Sequence, residues 1–427
     1  MRFRPAGLPG PTSLAPSRHC AWLLRPLIDL GPFEEGPFYS RAIDHHWQAL
    51  TASDTTPRFG LQRILAHGFR TTMLRESNRA ELDVHDPRDL AEHLRTVRWR
   101  ALCGMLDAWA DLSTEQQCRL VLLLHALGFH EFVASLVPRT TRGLGDLSPE
   151  AVELAYWCES ARYMVAMPRR FSDYRGADLG TFEAIASDAP HAAHAAFNAS
   201  VKIFVHRAKV GADADELARR AELMDRRLAN VSEQLDGFSV GLLTSRFHRA
   251  LAFLPMRRRD GDGVVAHMDL AEQHARALRP MTPAQQLLYL ENLHPVVESR
   301  SKEAIWLGDR ELALARARAV VELDRYDPKS WLELGQLLMS LDRWSEAADA
   351  YVTAAMLGPP VGALGRHMAG VCFRRLGQEM LAAFMFQSAL ELDPLGISPR
   401  VEIGDQPDLG VLASLKEWSS RRIEEAG

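Results

Sequence analysis

The chain has 427 residues, 47% hydrophobic and 25% charged, the balance of an ordinary soluble globular protein long enough for two or three domains. Its formal net charge of −5 argues against a bulk electrostatic nucleic-acid binder, so no nucleic acid is expected as partner. No apolar run approaches the roughly 18–20 residues that cross a bilayer, so no membrane span is expected either.

Residues 1–38 are rich in Pro, Gly and Arg. The first 28 hold Arg2, Arg4, Arg18 and Arg25 and no acidic residue, but the apolar run Cys20 to Leu24 is too short for a secretory core. Prolines at 5, 9, 11 and 16 oppose an amphipathic leader helix, so an extended arm is expected. The five cysteines (Cys20, Cys103, Cys118, Cys158, Cys372) are odd in number and widely spaced, with no CxxC pair. They signal neither a zinc knuckle nor a disulfide framework, and fit a reducing cytoplasm.

From residue 39 the pattern turns helical, and 39–210 reads as an N-terminal helical domain. Ile43, Trp47 and Leu50 share one face of a first helix. Asp86 and Pro87 open a second, expected to run through Leu90, Leu94, Val97, Ala101 and Met105 towards Leu112. Ser113 with Gln116 is a capping-box signature before Leu120 to Leu127, and Gly128 fits the stop. A short helix from Phe129 to Val137 follows, then a linker with Gly143 and Gly145. Ser148, Pro149 and Glu150 start a helix to Met167, and 168–180 reads as loop. Pro190 opens a helix with Phe197, Val201 and Phe204 on one side, closed by Gly211.

Residues 211–293 read as degenerate helical hairpins. Leu217, Ala221, Met224, Leu228, Val231 and Leu235 alternate steps of four and three, a narrow seam stopped by Gly237. Val240, Leu243, Phe247, Leu251 and Leu254 make the helix expected to pair with it. Arg257, Arg258 and Arg259 with Asp260 and Asp262 are expected as an exposed loop. Met268, Ala271 and Ala275 suggest the second helix of a worn repeat. A helix begins at Thr282 and Pro283, and the sequence leaves open whether it stops at Pro295 or continues through a kink.

In 294–394 a pattern recurs. Trp331, Leu334, Gly335, Leu338, Ala347, Tyr351, Ala354 and Pro359 are followed by Ala369, Gly370, Phe373, Ala382, Phe386, Ala389 and Pro394. The two stretches are 35 residues apart, counted from Gly335 to Gly370. A poorer unit with Gly308, Ala313 and Ala317 precedes them. The stretch resembles the tetratricopeptide repeat (TPR) family, whose period is roughly 34 residues. Residues 395–427 read as a turn and a capping helix with Leu412, Leu415 and Trp418 on one face. The fold class expected is all-α: helical hairpin repeats, a TPR-like α-solenoid, following an N-terminal helical domain.

The resemblance implies that the first helix of each pair lines a concave groove that binds a peptide or protein. Carried onto this chain, the motif positions are Lys302, Lys329, Gln336, His367 and Arg374, a basic face suited to an acidic or carboxylate-bearing peptide. Leu332 and Gln336 stand where the family's chaperone-tail clamp has asparagines, so chaperone C-termini are not the implied ligand. The function expected is a non-enzymatic adaptor, regulatory or assembly subunit.

The alternative is a helical enzyme in 39–210, its repeats recruiting a peptide or protein substrate. Its candidates are His45 and His46, His125 and His130 near Glu131, and His191 with His194. Glu291 and His294 have the i, i+3 spacing of di-iron bundles, but only one such unit exists, so no metal is expected. Walker, dinucleotide-binding and nucleophile-elbow glycine motifs are absent, and no cofactor is expected.

Overall fold

The computed structural model describes residues 47, 84–166, 177–324, 327–356 and 361–392. The arm at 1–38, His45 and His46, Pro359, Pro394 and the capping helix at 409–425 lie outside them. Among the described residues the regular structure is helical, in the order α1 (Val97–Asp107), α2 (Thr114–Ala126), α3 (His130–Leu136), α4 (Pro149–Ala166), α5 (Gly180–Asp188) and α6 (Ala193–Val210). There follow α7 (Ala214–Ser232), α8 (Gly237–Leu251), the short α9 (Phe253–Arg257), α10 (Gly261–Ala277), α11 (Pro283–Leu307) and α12 (Arg310–Leu323). The last are α13 (Pro328–Ser340), α14 (Trp344–Met356), α15 (Gly362–Arg375) and α16 (Glu379–Leu392).

Side chains written into the sequence start these helices. Ser113 and Gln116 form the capping box of α2, each accepting from the other's backbone N–H. Asp213, Asp236, Asp260, Thr282 and Asp309 accept backbone N–H groups at the starts of α7, α8, α10, α11 and α12. Gly211 and Gly308 end α6 and α11 in the left-handed region, with φ 97° and 86°, where a Cβ is penalised.

Several helix expectations change. The run from Asp86 to Leu112 is two 3₁₀ turns, Pro87–Asp89 and Glu92–Leu94, before α1. Thr96 caps α1, and Trp99 Nε1 donates to the Pro87 carbonyl at 2.8 Å, folding the turns back onto the helix. At the end of the expected loop at 168–180, Asp178 accepts from Gly180 N and starts α5, which buries Phe182 and Ile185. Asp260, read as part of an exposed loop, caps α10, so Gly261 to Gly263 are already helical. The question left open at Pro295 closes too: α11 runs unbroken from 283 to 307.

Pairing also differs. The seam helix α7 packs chiefly on the preceding α6, and α8 packs on α10, rather than α7 on α8. Leu217, Met224 and Val231 are the buried heptad row of α7. Antiparallel hairpins therefore stack as α6/α7, α8/α10, α11/α12, α13/α14 and α15/α16. Residues 283–307 form one helix, α11, and one apolar core runs from Trp47 and Val84 to Leu288.

In the last two hairpins the repeat glycines do what their spacing demands. A Cβ on Gly335 would sit 2.9 Å from the Tyr351 ring, and one on Gly370 2.6 Å from the Phe386 ring. Each small residue makes room for the aromatic ring of its partner helix. At Gly365, by contrast, the nearest neighbour is a backbone atom, the Tyr351 carbonyl oxygen at 2.8 Å.

Candidate functional site

The first helices of successive hairpins lie side by side, α6 against α8 and α8 against α11, with α4 continuing the row beyond α6. Lys209, at the end of α6, lies within electrostatic reach of Lys302 on α11 and Lys329 on α13, two and three hairpins on. Lys209, Arg249, Lys302 and Lys329, from four successive first helices, therefore sit on one common side of the row. Lys209 keeps an exposed side chain, yet desolvation and these cations push its pKa down to about 8.

On the same side, α6 and α8 bring together the basic side chains Lys202, Arg246 and Arg249. Lys202 Nζ lies 4.7 Å from the centroid of the Tyr163 ring of α4 and 5.9 Å from that of Phe182. Burial, then the nearby Arg246 and Lys209, push its pKa down to about 7. Arg246 Nη1 donates to Asn198 Oδ1 at 2.6 Å, and its guanidinium also bonds the Tyr156 phenol. Asn198 Nδ2 donates to His194 Nε2 at 3.1 Å, and His194 Nδ1 to Glu153 Oε1 at 2.9 Å. This relay fixes Arg246 from two helices away. Arg249, one turn on, is pushed down to about 10 by burial and Arg246, opposed by Glu298 and Glu291.

Several arginines elsewhere are matched with carboxylates, while Arg227, Arg279 and Arg366 bond backbone carbonyls. Arg139 and Arg162 share Glu159 at 2.8 and 3.0 Å, Arg220 meets Glu183 at 3.0 Å, and Arg300 meets Asp269, Glu272 and Glu303 at 2.8–3.2 Å. Among the described residues, no carboxylate lies within ion-pair distance of Lys202, Arg246 or Arg249. Arg249 Nε is buried, and no described atom accepts from it. Two desolvated arginines and a lysine without acid partners, the lysine ready to take up a proton beside an anion, are an anion-binding arrangement.

The groove residues expected from the repeat motif fall into two groups and one outlier. Lys302 meets Glu298 at 2.5 Å and Glu333 at 3.3 Å, while Lys329 pairs with the same Glu298 and lies 3.1 Å from Glu333. Two lysines and two glutamates here form one knot whose charges cancel. His367 and Arg374 both lie against Phe386, each with a 5.7 Å separation, the first ring to ring and the second over the ring face. Gln336 is exposed on α13.

The histidines gather less than their number suggests. His125 and His130 lie 5.1 Å apart between ring centroids, and His125 Nε2 bonds the Trp157 carbonyl at 2.9 Å. Burial pushes the His125 pKa down to about 4. His191 bonds the Leu147 carbonyl and His194 serves the Arg246 relay, so these two take separate partners. His294 Nε2 lies 3.6 Å from Asp327 and 3.4 Å from Ser330 Oγ. No group of three or more His, Cys, Asp or Glu among the described residues is placed to hold a metal ion.

No protein-family model matches the chain, and no curated protein does. Solved structures do. One is YrrB, described as a TPR protein with an unusual peptide-binding site: 14% identity, 48% of this chain and 97% of that one, TM-score 0.32. Another is a human IFIT1 dimer with m7Gppp-AAAA: 11% identity, 90% and 93% covered, TM-score 0.41. A third is the human IFIT1 dimer with PPP-AAAA: 11% identity, 77% and 75% covered, TM-score 0.40.

Lys202, Arg246 and Arg249 are absent from the residues that the repeat motif pointed to. A sequence signal for them existed. Residues 189–212 contain three Lys or Arg and 237–259 contain five, and neither stretch holds a single Asp or Glu. The overall charge of −5 conceals this, because the acids are concentrated on the other helices. The argument against nucleic acid from net charge therefore does not extend to this cluster. No helix among the described residues is long and apolar enough to cross a membrane.

Proposed function

We propose that this chain is a helical-repeat binding protein whose concave face takes an acidic segment of a peptide or protein partner, as an adaptor, regulatory or assembly subunit. The observation that carries this reading is that the first helices α6 and α8 bring Lys202, Arg246 and Arg249 together without a carboxylate within ion-pair distance among the described residues. Lys302, Lys329, Gln336, His367 and Arg374 extend the same row on α11, α13 and α15 and form the farther part of the track. The Lys302–Lys329–Glu298–Glu333 knot presents carboxylates as well as ammonium groups, so the partner segment meets acceptors midway along it.

The test is fluorescence anisotropy of the full chain with dye-labelled peptide pools of equal length, one Asp/Glu-rich and one Lys/Arg-rich. The acidic pool binds, weakens as salt rises, and is weakened further by Lys302→Glu with Arg374→Glu. Equal binding of both pools, or no binding of either, overturns the reading.

A further inference from the structure

The chemistry of the α6–α8 basic cluster specifies more than a general liking for acidic segments. We propose that Lys202, Arg246 and Arg249 form a pocket for a phosphoryl group carried on the bound peptide, an inference that rests on the peptide-binding reading above.

Charge matching is the first argument. Arg246, Arg249 and Lys202, which takes up its proton as an anion approaches, come from two adjacent helices, and among the described residues none is within ion-pair distance of a carboxylate. One peptide carboxylate brings a single negative charge and leaves most of the excess in place. A phosphoryl group brings about −1.5 to −2 and three strong acceptor oxygens, which suits three donors approaching from separate side chains.

Preorganisation is the second. Arg246 is held by Asn198 at 2.6 Å, itself held through His194 to the buried Glu153, so the guanidinium does not need to be ordered on binding. Lys202 rests on the Tyr163 ring, which leaves its ammonium hydrogens without an acid acceptor. The buried Arg249 Nε has no described acceptor at all, although leaving such a donor unmet costs about 1–3 kcal/mol. A phosphoryl oxygen satisfies it.

The neighbourhood favours a peptide over a nucleic-acid strand. Beyond Arg249 the row reaches Glu291, Glu298 and Glu333, with Glu298 shared by Lys302 and Lys329. A strand bearing a charge at every residue meets these carboxylates, whereas a peptide with one phosphoryl group does not.

The experiment uses the full chain and four probes: a phosphoserine peptide pool of mixed sequence, the same pool with serine, inorganic phosphate, and a 5′-phosphorylated oligonucleotide. The phosphoserine pool is expected to bind at least about tenfold tighter than the serine pool, the advantage of charge-assisted over neutral hydrogen bonds. Inorganic phosphate competes where chloride of equal ionic strength does not. Arg249→Met and Arg246→Met each remove the gain from phosphorylation. Should either variant fail to fold, Lys202→Met and Arg249→Lys take its place, read by loss of the rise in melting temperature that phosphate gives the unmodified chain.

Equal affinity for the two pools, with acidic peptides still bound, overturns the phosphoryl pocket and leaves the peptide-binding reading standing. Binding of no peptide overturns both. Preference for the oligonucleotide, or capture of inorganic phosphate alone, overturns the assignment to a phosphorylated peptide.

Discussion

Gly370→Ala gives the sharpest test of how the last hairpin packs. The added Cβ would lie 2.6 Å from Phe386 Cε1, 2.8 Å from Cδ1 and 3.0 Å from Cζ. Ordinary contact begins near 3.4 Å, so the ring or the helix must move by about 0.8 Å. Phe386 is 1% exposed, packed among Ala382, Ala383 and Leu390, with Arg374 over its face, and it has little room to yield. Overpacking of this kind costs about 2–3 kcal/mol, against about 1 kcal/mol gained by replacing a helical glycine. The net is a loss of about 1–2 kcal/mol, or roughly tenfold in local opening. Gly104 is the control. It is exposed on α1, and a methyl group added there meets no atom within 4 Å, so Gly104→Ala is expected to stabilise by about 0.5–1 kcal/mol. Stacked hairpins open locally, so the assay is hydrogen exchange of the α15 and α16 amides rather than a global melt. Exchange there speeds up in Gly370→Ala, and adding Phe386→Leu recovers part of the loss as a non-additive term. Unchanged exchange in Gly370→Ala, or strict additivity in the double variant, refutes the ring-into-glycine account.

Four further outcomes follow from particular side chains. Folded Lys202 holds its proton only below about 7, against 10.5 ordinarily, so between these values the unfolded chain binds the extra proton. Stability therefore rises with pH from about 7 towards about 10, and Lys202→Met flattens that slope in pH-dependent melts. Glu298→Gln removes the acid shared by Lys302 and Lys329; Lys329 keeps Glu333 at 3.1 Å, so the expected loss is about 1–3 kcal/mol, read by hydrogen exchange in α11 and α13. Ser113→Ala deletes the capping box of α2 and costs about 1 kcal/mol by the same measurement. Cys158 and Cys372 are buried, which pushes their thiols up to about 12 and about 11; iodoacetamide at pH 8 labels them only after denaturant is added, as mass spectrometry of the peptides checks.

Much of the helical framework is legible without coordinates, because local chemistry writes it. Capping aspartates, the Ser113 and Gln116 box and left-handed glycines act within four residues of themselves. The glycine–aromatic pairs are legible too, since Gly335 with Tyr351 and Gly370 with Phe386 recur at the same spacing. The short helix α5 escapes a reading by periodicity because nine residues carry too few turns for a stripe; Asp178, Phe182 and Ile185 are the available clue. The basic cluster escapes it for a different reason. Its members are spread over 48 positions, from 202 to 249, outside the repeat motif at 294–394. That motif points instead to Lys302 and Lys329, which fold against carboxylates.

Helix type, helix ends and the small-residue spacing of the last repeats belong to the sequence by itself, since each depends on neighbours a few bonds or one helical turn away. Which helix pairs with which belongs to the tertiary structure. The same apolar stripe of α7 could close against α6 or α8, and only the packing of the whole row selects α6. Charge follows the same division. The acid-free stretches are present in the sequence, but whether a cation finds a carboxylate depends on which helices lie side by side. Folding set Glu298 against Lys302 and Lys329, and left Lys202, Arg246 and Arg249 without one among the described residues.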